Sequence, residues 1–97
     1  MIRVVRLSFK DEHKEDFLAF FHDRKERIRA VQGCTFLQLW RDDKNENVFY
    51  TYSMWEANSF LESYRNSAFF RETWSQVKQW FSESPMAFSA NDVITLP

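Results

Sequence analysis

Two amphipathic helices in direct succession, both rich in aromatic residues, constrain the fold of this chain more than any other feature. Residues 56–65 place Tyr64 on the apolar face of a first helix. Residues 68–82 repeat Phe70 and Trp74 four positions apart, which puts both rings on one face of a second helix. Because aromatic side chains bury large areas, the rest of the chain has to supply an extensive apolar surface against this pair.

Four strands and one long helix supply that surface. Period-two patterns rich in β-branched and aromatic residues predict strands over residues 2–9, 34–41 and 47–55. Apolar residues at helical spacing predict a helix over residues 10–31, and residues 85–96 predict a last strand with a bend near its Ala-Asn-Asp stretch. The order β-α-β-β-α-α-β predicts an α+β, ferredoxin-like fold. It has a four-stranded antiparallel sheet and a second helix broken in two.

Two local signals mark the ends of predicted helices. Gly33, the only glycine in the chain, follows the long helix at the place where a left-handed residue commonly ends one. Ser67 precedes the third helix and has the side chain of a good N-cap. Both residues predict sharp helix boundaries.

Large apolar side chains occupy both faces of the predicted strands. Phe36 and Trp40 alternate with Leu37 and Leu39, so neither face of that strand is polar. An antiparallel sheet with helices on one side ordinarily leaves its other face polar and wet. We therefore expect the second face to be covered by a partner subunit, which predicts a homodimer formed through the sheet face.

Composition limits the kind of protein this is. The length of 97 residues predicts a single domain spanning residues 1–97. The net charge of −1 gives no field that would favour nucleic acid, and no apolar run approaches a membrane span, so we expect neither partner. The single Cys34 excludes an internal disulfide and fits a cytoplasmic location.

The usual catalytic and metal-binding motifs are missing. His13 and His22 lie nine positions apart on the first predicted helix and are best interpreted as surface residues. Cys34, with neither histidine near it in sequence, is best interpreted as a buried, inert thiol. The polar D-D-K-N-E-N segment lacks the glycine and closing glutamate of a calcium loop, so it predicts a hairpin tip. We expect no metal and no cofactor.

Arg6 is the most informative polar residue, and two interpretations of it stay open. Its side chain either reaches water from the edge of the sheet, or it lies at the floor of a cleft between sheet and helices. In the second case the guanidinium would hold an anionic or phenolic oxygen. Tyr64 and Trp74 are likewise either simple core residues or the walls of a pocket, depending on whether the helices stand off the sheet.

The order of elements, together with W-E-A-N-S-F-L-E-S-Y-R-N-S-A-F-F-R-E-T-W after the third strand, resembles the antibiotic biosynthesis monooxygenase (ABM) family. The resemblance spans nearly the whole chain and implies a dimeric α/β barrel. Some members are cofactor-independent monooxygenases that oxidise phenolic or quinol-type aromatics with molecular oxygen. Others bind and degrade heme between sheet and helices.

The heme-degrading pattern is not matched in this chain. Relative to it, Arg6 falls at or near the position of an Asn, Tyr64 at that of a Trp, and Trp74 at that of the His that ligates iron. An indole nitrogen has no lone pair available for iron. The resemblance therefore implies a cofactor-free monooxygenase that acts on a phenolic or quinol-type aromatic.

The roles that this activity implies fall on four residues. Arg6 would stabilise an anion, Phe70 and Trp74 would stack on the substrate ring, and Tyr64 would donate a hydrogen bond. We take Arg6 and Trp74 as candidate catalytic residues and Tyr64 and Phe70 as candidate substrate-binding residues. This set contains no general base, so a non-catalytic dimeric binder of an apolar aromatic ligand is the main alternative. A divergent heme binder is the third.

Overall fold

A computed structural model describes residues 1–97 and contains one antiparallel sheet with helices on one of its faces. The strands are β1 (Ile2–Ser8), β2 (Cys34–Arg41), β3 (Val48–Trp55) and β4 (Met86–Ala90). They lie in the order β2-β3-β1-β4. The predicted four-stranded ferredoxin-like sheet is therefore confirmed.

Three α-helices connect the strands in the predicted order: α1 (Lys14–Arg29), α2 (Asn58–Arg65) and α3 (Ala68–Val77). Short 3₁₀ turns at Asp11–His13 and Lys78–Trp80 precede α1 and follow α3. None of these helices is long and apolar enough to cross a membrane. The cytoplasmic location stays a prediction.

The register of the sheet decides which side chains meet the helices. Leu7 of β1 lies opposite Phe49 of β3, and both point to the helical side. There they form a buried core with Phe9, Phe17 and Val77. Because side chains alternate along a strand, the odd-numbered residues of β1 face the helices and the even-numbered ones face away. This parity determines which residues can reach a site between sheet and helices.

The last strand is shorter than the sequence predicts. We expected it to continue to residue 96, but β4 ends at Ala90, which pairs with Ile2. Ile2 is the first residue of β1, so a longer β4 would have no neighbour to pair with. The tail instead leaves Val93, Ile94 and Leu96 almost fully exposed.

The side chain of Ser67 joins the two aromatic-rich helices. Its hydroxyl accepts a hydrogen bond from the amide of Phe70 at 3.1 Å and donates one to the carbonyl of Tyr64 at 2.6 Å. It is thus the predicted N-cap of α3 and also satisfies a carbonyl at the end of α2. This double contact fixes the angle between α2 and α3, and with it the position of Tyr64 against Phe70.

Gly33 adopts the predicted left-handed conformation, with φ +87°. A Cβ added at this position would overlap the side chain of Phe60 on α2. We therefore expect Gly33→Ala to lower the free energy of unfolding by about 3 kcal/mol, from the left-handed backbone and the overlap with Phe60 together. Chemical denaturation measures this loss, and Gln32→Ala is the matched control. A variant as stable as the unmodified protein would show that the turn relaxes freely.

The face of the sheet turned away from the helices is aromatic. Trp40 stacks on Tyr52 with ring centroids 4.8 Å apart, and Phe36 meets Tyr52 edge-on at 6.0 Å. Met86 and Phe88 on β4 are 66% and 58% exposed. Such a contiguous apolar patch is unusual on the surface of a monomeric protein. The prediction of two apolar sheet faces is confirmed.

Candidate functional site

A cavity of about 350 Å³ lies between the sheet and the helices. We call it the sheet–helix cavity. Its volume is within the range of roughly 300–1,000 Å³ that is typical of small-molecule sites. The apolar part of its lining comes from all three helices and all four strands, and includes Val5, Leu7, Phe17, Phe21, Ile28, Leu37, Trp55, Leu61, Phe70, Trp74, Val77 and Ala87. The helices therefore stand far enough off the sheet to leave room for a ligand.

Two residues predicted to bind substrate and one predicted to be catalytic meet at this cavity. Tyr64, Phe70 and Trp74 all line it. Phe70 and Trp74 are nearly parallel, with an angle of 11° and ring centroids 5.8 Å apart. Tyr64 meets Phe70 edge-on at 5.1 Å and stacks on Trp55 at 5.5 Å. These residues form a continuous aromatic wall against which a flat ring can pack.

Arg6 does not reach the cavity, so its predicted place at the cleft floor is wrong. Its position on β1 is even-numbered, opposite Tyr50, and its side chain lies on the face turned away from the helices. There it donates to the Ser8 hydroxyl at 3.0 Å and pairs with Glu83 at 3.3 Å. An arginine held on the opposite face of the sheet cannot contact a ligand between sheet and helices.

Arg3 occupies the place that we assigned to Arg6. It lies three residues earlier on β1, on the odd-numbered face, and lines the cavity. Its guanidinium donates to the Ser89 hydroxyl at 3.2 Å. Burial and the neighbouring charge of Arg65 lower the pKa of Arg3, and Glu62 partly offsets this. The sequence carried a signal for this residue, because Arg3 shares its strand face with the bulky Leu7 and Phe9.

The charged lining of the cavity consists of arginine alone. Arg3, Arg24 and Arg65 line it, and no Asp, Glu, His, Lys or Cys does. Arg24 makes a bidentate pair with Glu72 and donates to the Thr73 hydroxyl at 3.0 Å. The cavity is therefore apolar with a positive rim, and it contains no side chain suited to act as a general base at neutral pH.

The hydroxyl of Tyr64 stays protonated at neutral pH. Burial, with a smaller contribution from nearby Cys34, raises the pKa of Tyr64 to about 12. A protonated phenol donates a hydrogen bond and cannot accept a proton from a substrate. Tyr64 is thus suited to the donor role that the sequence predicted and unsuited to the role of a base.

Cys34 and the two histidines lie outside the cavity. The Cys34 thiol is buried, and burial raises its pKa. Its sulfur lies 3.6 Å from the Phe36 carbonyl, which it faces as a weak donor. His13 lies beside Asp16, and His22 lies beside Lys25. No cluster of metal-ligating side chains is present in the chain.

Comparison with known proteins assigns the chain to a family. The family model described as antibiotic biosynthesis monooxygenase matches residues 1–76. No curated protein matches the chain.

Solved structures show the same fold at low sequence identity. A protein from Caulobacter crescentus assigned as an antibiotic biosynthesis monooxygenase superposes with TM-score 0.87 at 17% identity, over 96% of this chain and 89% of that one. A protein from Bordetella bronchiseptica with the same assignment superposes with TM-score 0.86 at 20% identity, over 96% of each chain. A third protein, from Nitrosomonas europaea, superposes with TM-score 0.86 at 14% identity, over 96% of this chain and 98% of that one. Likeness at this level of identity concerns the fold and leaves the substrate open.

Proposed function

Because this chain belongs to the antibiotic biosynthesis monooxygenase family, we propose that it is a cofactor-independent monooxygenase acting on a phenolic or quinol-type aromatic in the sheet–helix cavity. The observation that carries this proposal is the aromatic wall of Tyr64, Phe70 and Trp74 along an otherwise apolar cavity. Flat, electron-rich rings are the ligands that such a wall favours.

The chemistry needs little from the protein. A phenol that has lost its hydroxyl proton to water passes one electron, as the phenolate, to molecular oxygen. The two radicals join to form a carbon–oxygen bond at the ring carbon para to the phenolate oxygen. Protonation gives a hydroperoxide. Loss of the proton on that carbon, with cleavage of the O–O bond, then leaves a quinone carbonyl and releases water. One oxygen atom of O₂ enters the product and the other leaves as water, so atoms and electrons balance.

The cavity residues have distinct parts in this scheme. Phe70 and Trp74 stack on the ring and exclude water, which strengthens electrostatic interactions inside the site. The Tyr64 hydroxyl donates a hydrogen bond to a ring oxygen. Arg3, in place of Arg6, stabilises the phenolate and the peroxide anion.

Heme is not a suitable cofactor for this cavity. No histidine, cysteine or methionine lines it, and Tyr64, the remaining possible axial ligand, keeps its proton because burial raises its pKa to about 12. Trp74, at the position of the iron-ligating His in the heme-degrading pattern, has no lone pair to offer.

We further propose that two copies of the chain associate through the sheet face turned away from the helices. Trp40, Tyr52, Met86 and Phe88 supply a broad apolar surface on that face. A two-fold dimer buries the same patch on both subunits, so one surface serves as its own partner. This arrangement leaves the cavity on the helical side of each subunit free to bind a ligand.

Replacing Trp74 by Leu is expected to lower kcat/KM for phenol oxidation about tenfold. The substrate ring would lose one of the aromatic groups that hold it in place and orient it toward oxygen. An oxygen electrode measures the rate over a panel of phenols and quinols that includes 1-naphthol and 5-hydroxy-2-naphthoate. Phe69→Leu, an aromatic change on the same helix outside this cavity, is the control. Equal losses in both variants would remove Trp74 from the site.

A non-catalytic binder of an aromatic ligand is the second candidate function. The observation that favours it is the lack of a general base in the cavity lining. Saturable binding of 1-naphthol without oxygen uptake on any phenol of the panel would establish this alternative. Measurable turnover would exclude it.

A further inference from the structure

We propose that the ligand of the sheet–helix cavity is an aromatic anion, ionised before it enters and held by the guanidinium of Arg3. This inference rests on the proposed function only in the location of the site, and it names the class of compound bound there. Two independent observations carry it: the pairing of the cations that line the cavity, and the missing base.

The first observation concerns the partners of the three lining arginines. Arg24 is neutralised by Glu72 through a bidentate pair, and Arg65 pairs with Glu62 at 3.2 Å. Arg3 has no carboxylate partner, and its only side-chain hydrogen bond goes to the neutral Ser89 hydroxyl at 3.2 Å. A guanidinium has five donors, so several remain free. Among the three lining arginines, Arg3 is the one without a carboxylate partner, so its charge is the least compensated.

The surroundings of Arg3 make the free charge unfavourable without an anion. Its neighbours across the sheet are Ser53 on β3 and Ser89 on β4, neither of which carries charge. Burial disfavours its charge and Arg65 lies close enough to repel it, which Glu62 offsets only in part. Charge-assisted hydrogen bonds to a carboxylate or phenolate oxygen are about twice as strong as neutral ones. An anionic ligand would relieve the repulsion and use the free donors together.

The second observation concerns how a phenol could become ionised in this site. The cavity lining contains no carboxylate, histidine or lysine, and the Tyr64 hydroxyl stays protonated. The protein therefore has no group there that would remove a proton from a bound, neutral phenol. A ligand that carries a carboxylate, or a phenol acidic enough to ionise in water, arrives with its charge already present.

The geometry of the lining divides the ligand into two parts. Arg3 lines the cavity from β1, and Phe70 and Trp74 line it from α3. An acidic group on Arg3 would direct a fused ring system along the aromatic wall. Shape and charge thus select an aromatic acid over a neutral aromatic of equal size.

The test compares a matched pair of probes, 2-naphthoate and the neutral 2-naphthalenemethanol, by isothermal titration calorimetry. We expect the unmodified protein to bind 2-naphthoate about tenfold more tightly or better, as charge-assisted hydrogen bonds warrant. Arg3→Gln should abolish this preference and Arg3→Lys should keep part of it. Arg71→Gln, which removes an arginine outside the cavity, should leave it unchanged.

A second arm distinguishes a carboxylate from a phenolate as the recognised group. The visible absorbance of 4-nitrophenol reports its ionisation, and we expect the bound compound to ionise at lower pH than the free one, except in Arg3→Gln. A shift with 4-nitrophenol but no preference for 2-naphthoate would assign the site to phenolates, and the reverse would assign it to carboxylates.

Several results would overturn the inference. Equal affinities for 2-naphthoate and 2-naphthalenemethanol in the unmodified protein, with no shift in 4-nitrophenol, need no variant and are sufficient. A preference that persists in Arg3→Gln, or binding of none of the probes, would do the same. Oxygen uptake with neutral phenols, alongside equal affinities and no shift in 4-nitrophenol, would reject the anionic ligand and keep the proposed monooxygenase. Anion binding without oxygen uptake would keep the anionic ligand and reject the monooxygenase.

Discussion

Replacing Phe49 by Ala is expected to lower the free energy of unfolding by about 4 kcal/mol, the usual cost of removing a fully buried Phe. Phe49 is 1% exposed and lies at the centre of the sheet–helix core. Its ring is 5.3 Å from that of Phe17 and 6.0 Å from that of Phe9. The Arg41 guanidinium lies over it, 4.6 Å from the ring centroid. Its loss would open a cavity that these groups cannot fill by small shifts.

Urea denaturation of Phe49→Ala, followed by circular dichroism, measures this cost. The matched control is Phe69→Ala, since that ring lies near the surface of α3 under the Arg27 guanidinium, 4.2 Å away. We expect the control to lose about 1 kcal/mol, because the Phe69 ring is only half-buried and its removal exposes less apolar area. Similar losses for the two variants would mean that Phe49 is not the centre of the core. The free energy of unfolding of a small domain is roughly 5–15 kcal/mol in total, so Phe49→Ala would remove a large part of it.

Replacing Phe88 by Glu is expected to convert the proposed dimer to monomer at micromolar concentration. Phe88 is 58% exposed in the single chain, so few contacts within its own subunit are lost. In a two-fold dimer the change occurs twice in one interface and buries two unpaired carboxylates. A dissociation constant higher by roughly a hundredfold, about 3 kcal/mol, is the expected size for a central interface residue.

Sedimentation equilibrium measures this change in assembly. Gln76→Glu introduces the same charge on the exposed side of α3, away from the sheet, and should leave the mass unchanged. Met86→Glu, at another exposed position of β4, repeats the test without removing an aromatic ring. A monomeric unmodified protein, or a dimer that survives both substitutions on the sheet face, would contradict the proposed interface.

The fold was predictable because the apolar and aromatic residues of each segment follow either helical or strand spacing. The helical spacing of Tyr64, Phe70 and Trp74 and the cap at Ser67 are local signals, and the structure agrees with them. The end of β4 was not predictable in this way. Its limit at Ala90 depends on where its neighbour β1 begins, which is a property of the pairing and not of the tail sequence.

The error over Arg6 and Arg3 has a specific physical cause. Side chains alternate along a strand, so choosing the wrong strand face as the buried one places every residue on the wrong side of the sheet. Both faces of β1 carry apolar residues together with one arginine, and periodicity alone does not say which face the helices cover. The size of Leu7 and Phe9 on the odd-numbered face was the available signal. The cavity itself depends on the stand-off of the helices, which no local pattern encodes.

Isotope labelling with ¹⁸O₂ tests the central claim, oxygenation of an aromatic in the sheet–helix cavity, most directly. The protein is incubated with 5-hydroxy-2-naphthoate under ¹⁸O₂, and product and water are analysed by mass spectrometry. We expect a quinone that carries one ¹⁸O atom, with the second recovered in water and one O₂ consumed per product. Trp74→Leu should form this product about tenfold more slowly. Unlabelled product would contradict the proposed oxygenation. So would the absence of oxygen uptake with this compound, with 1-naphthol and with every other phenol of the panel.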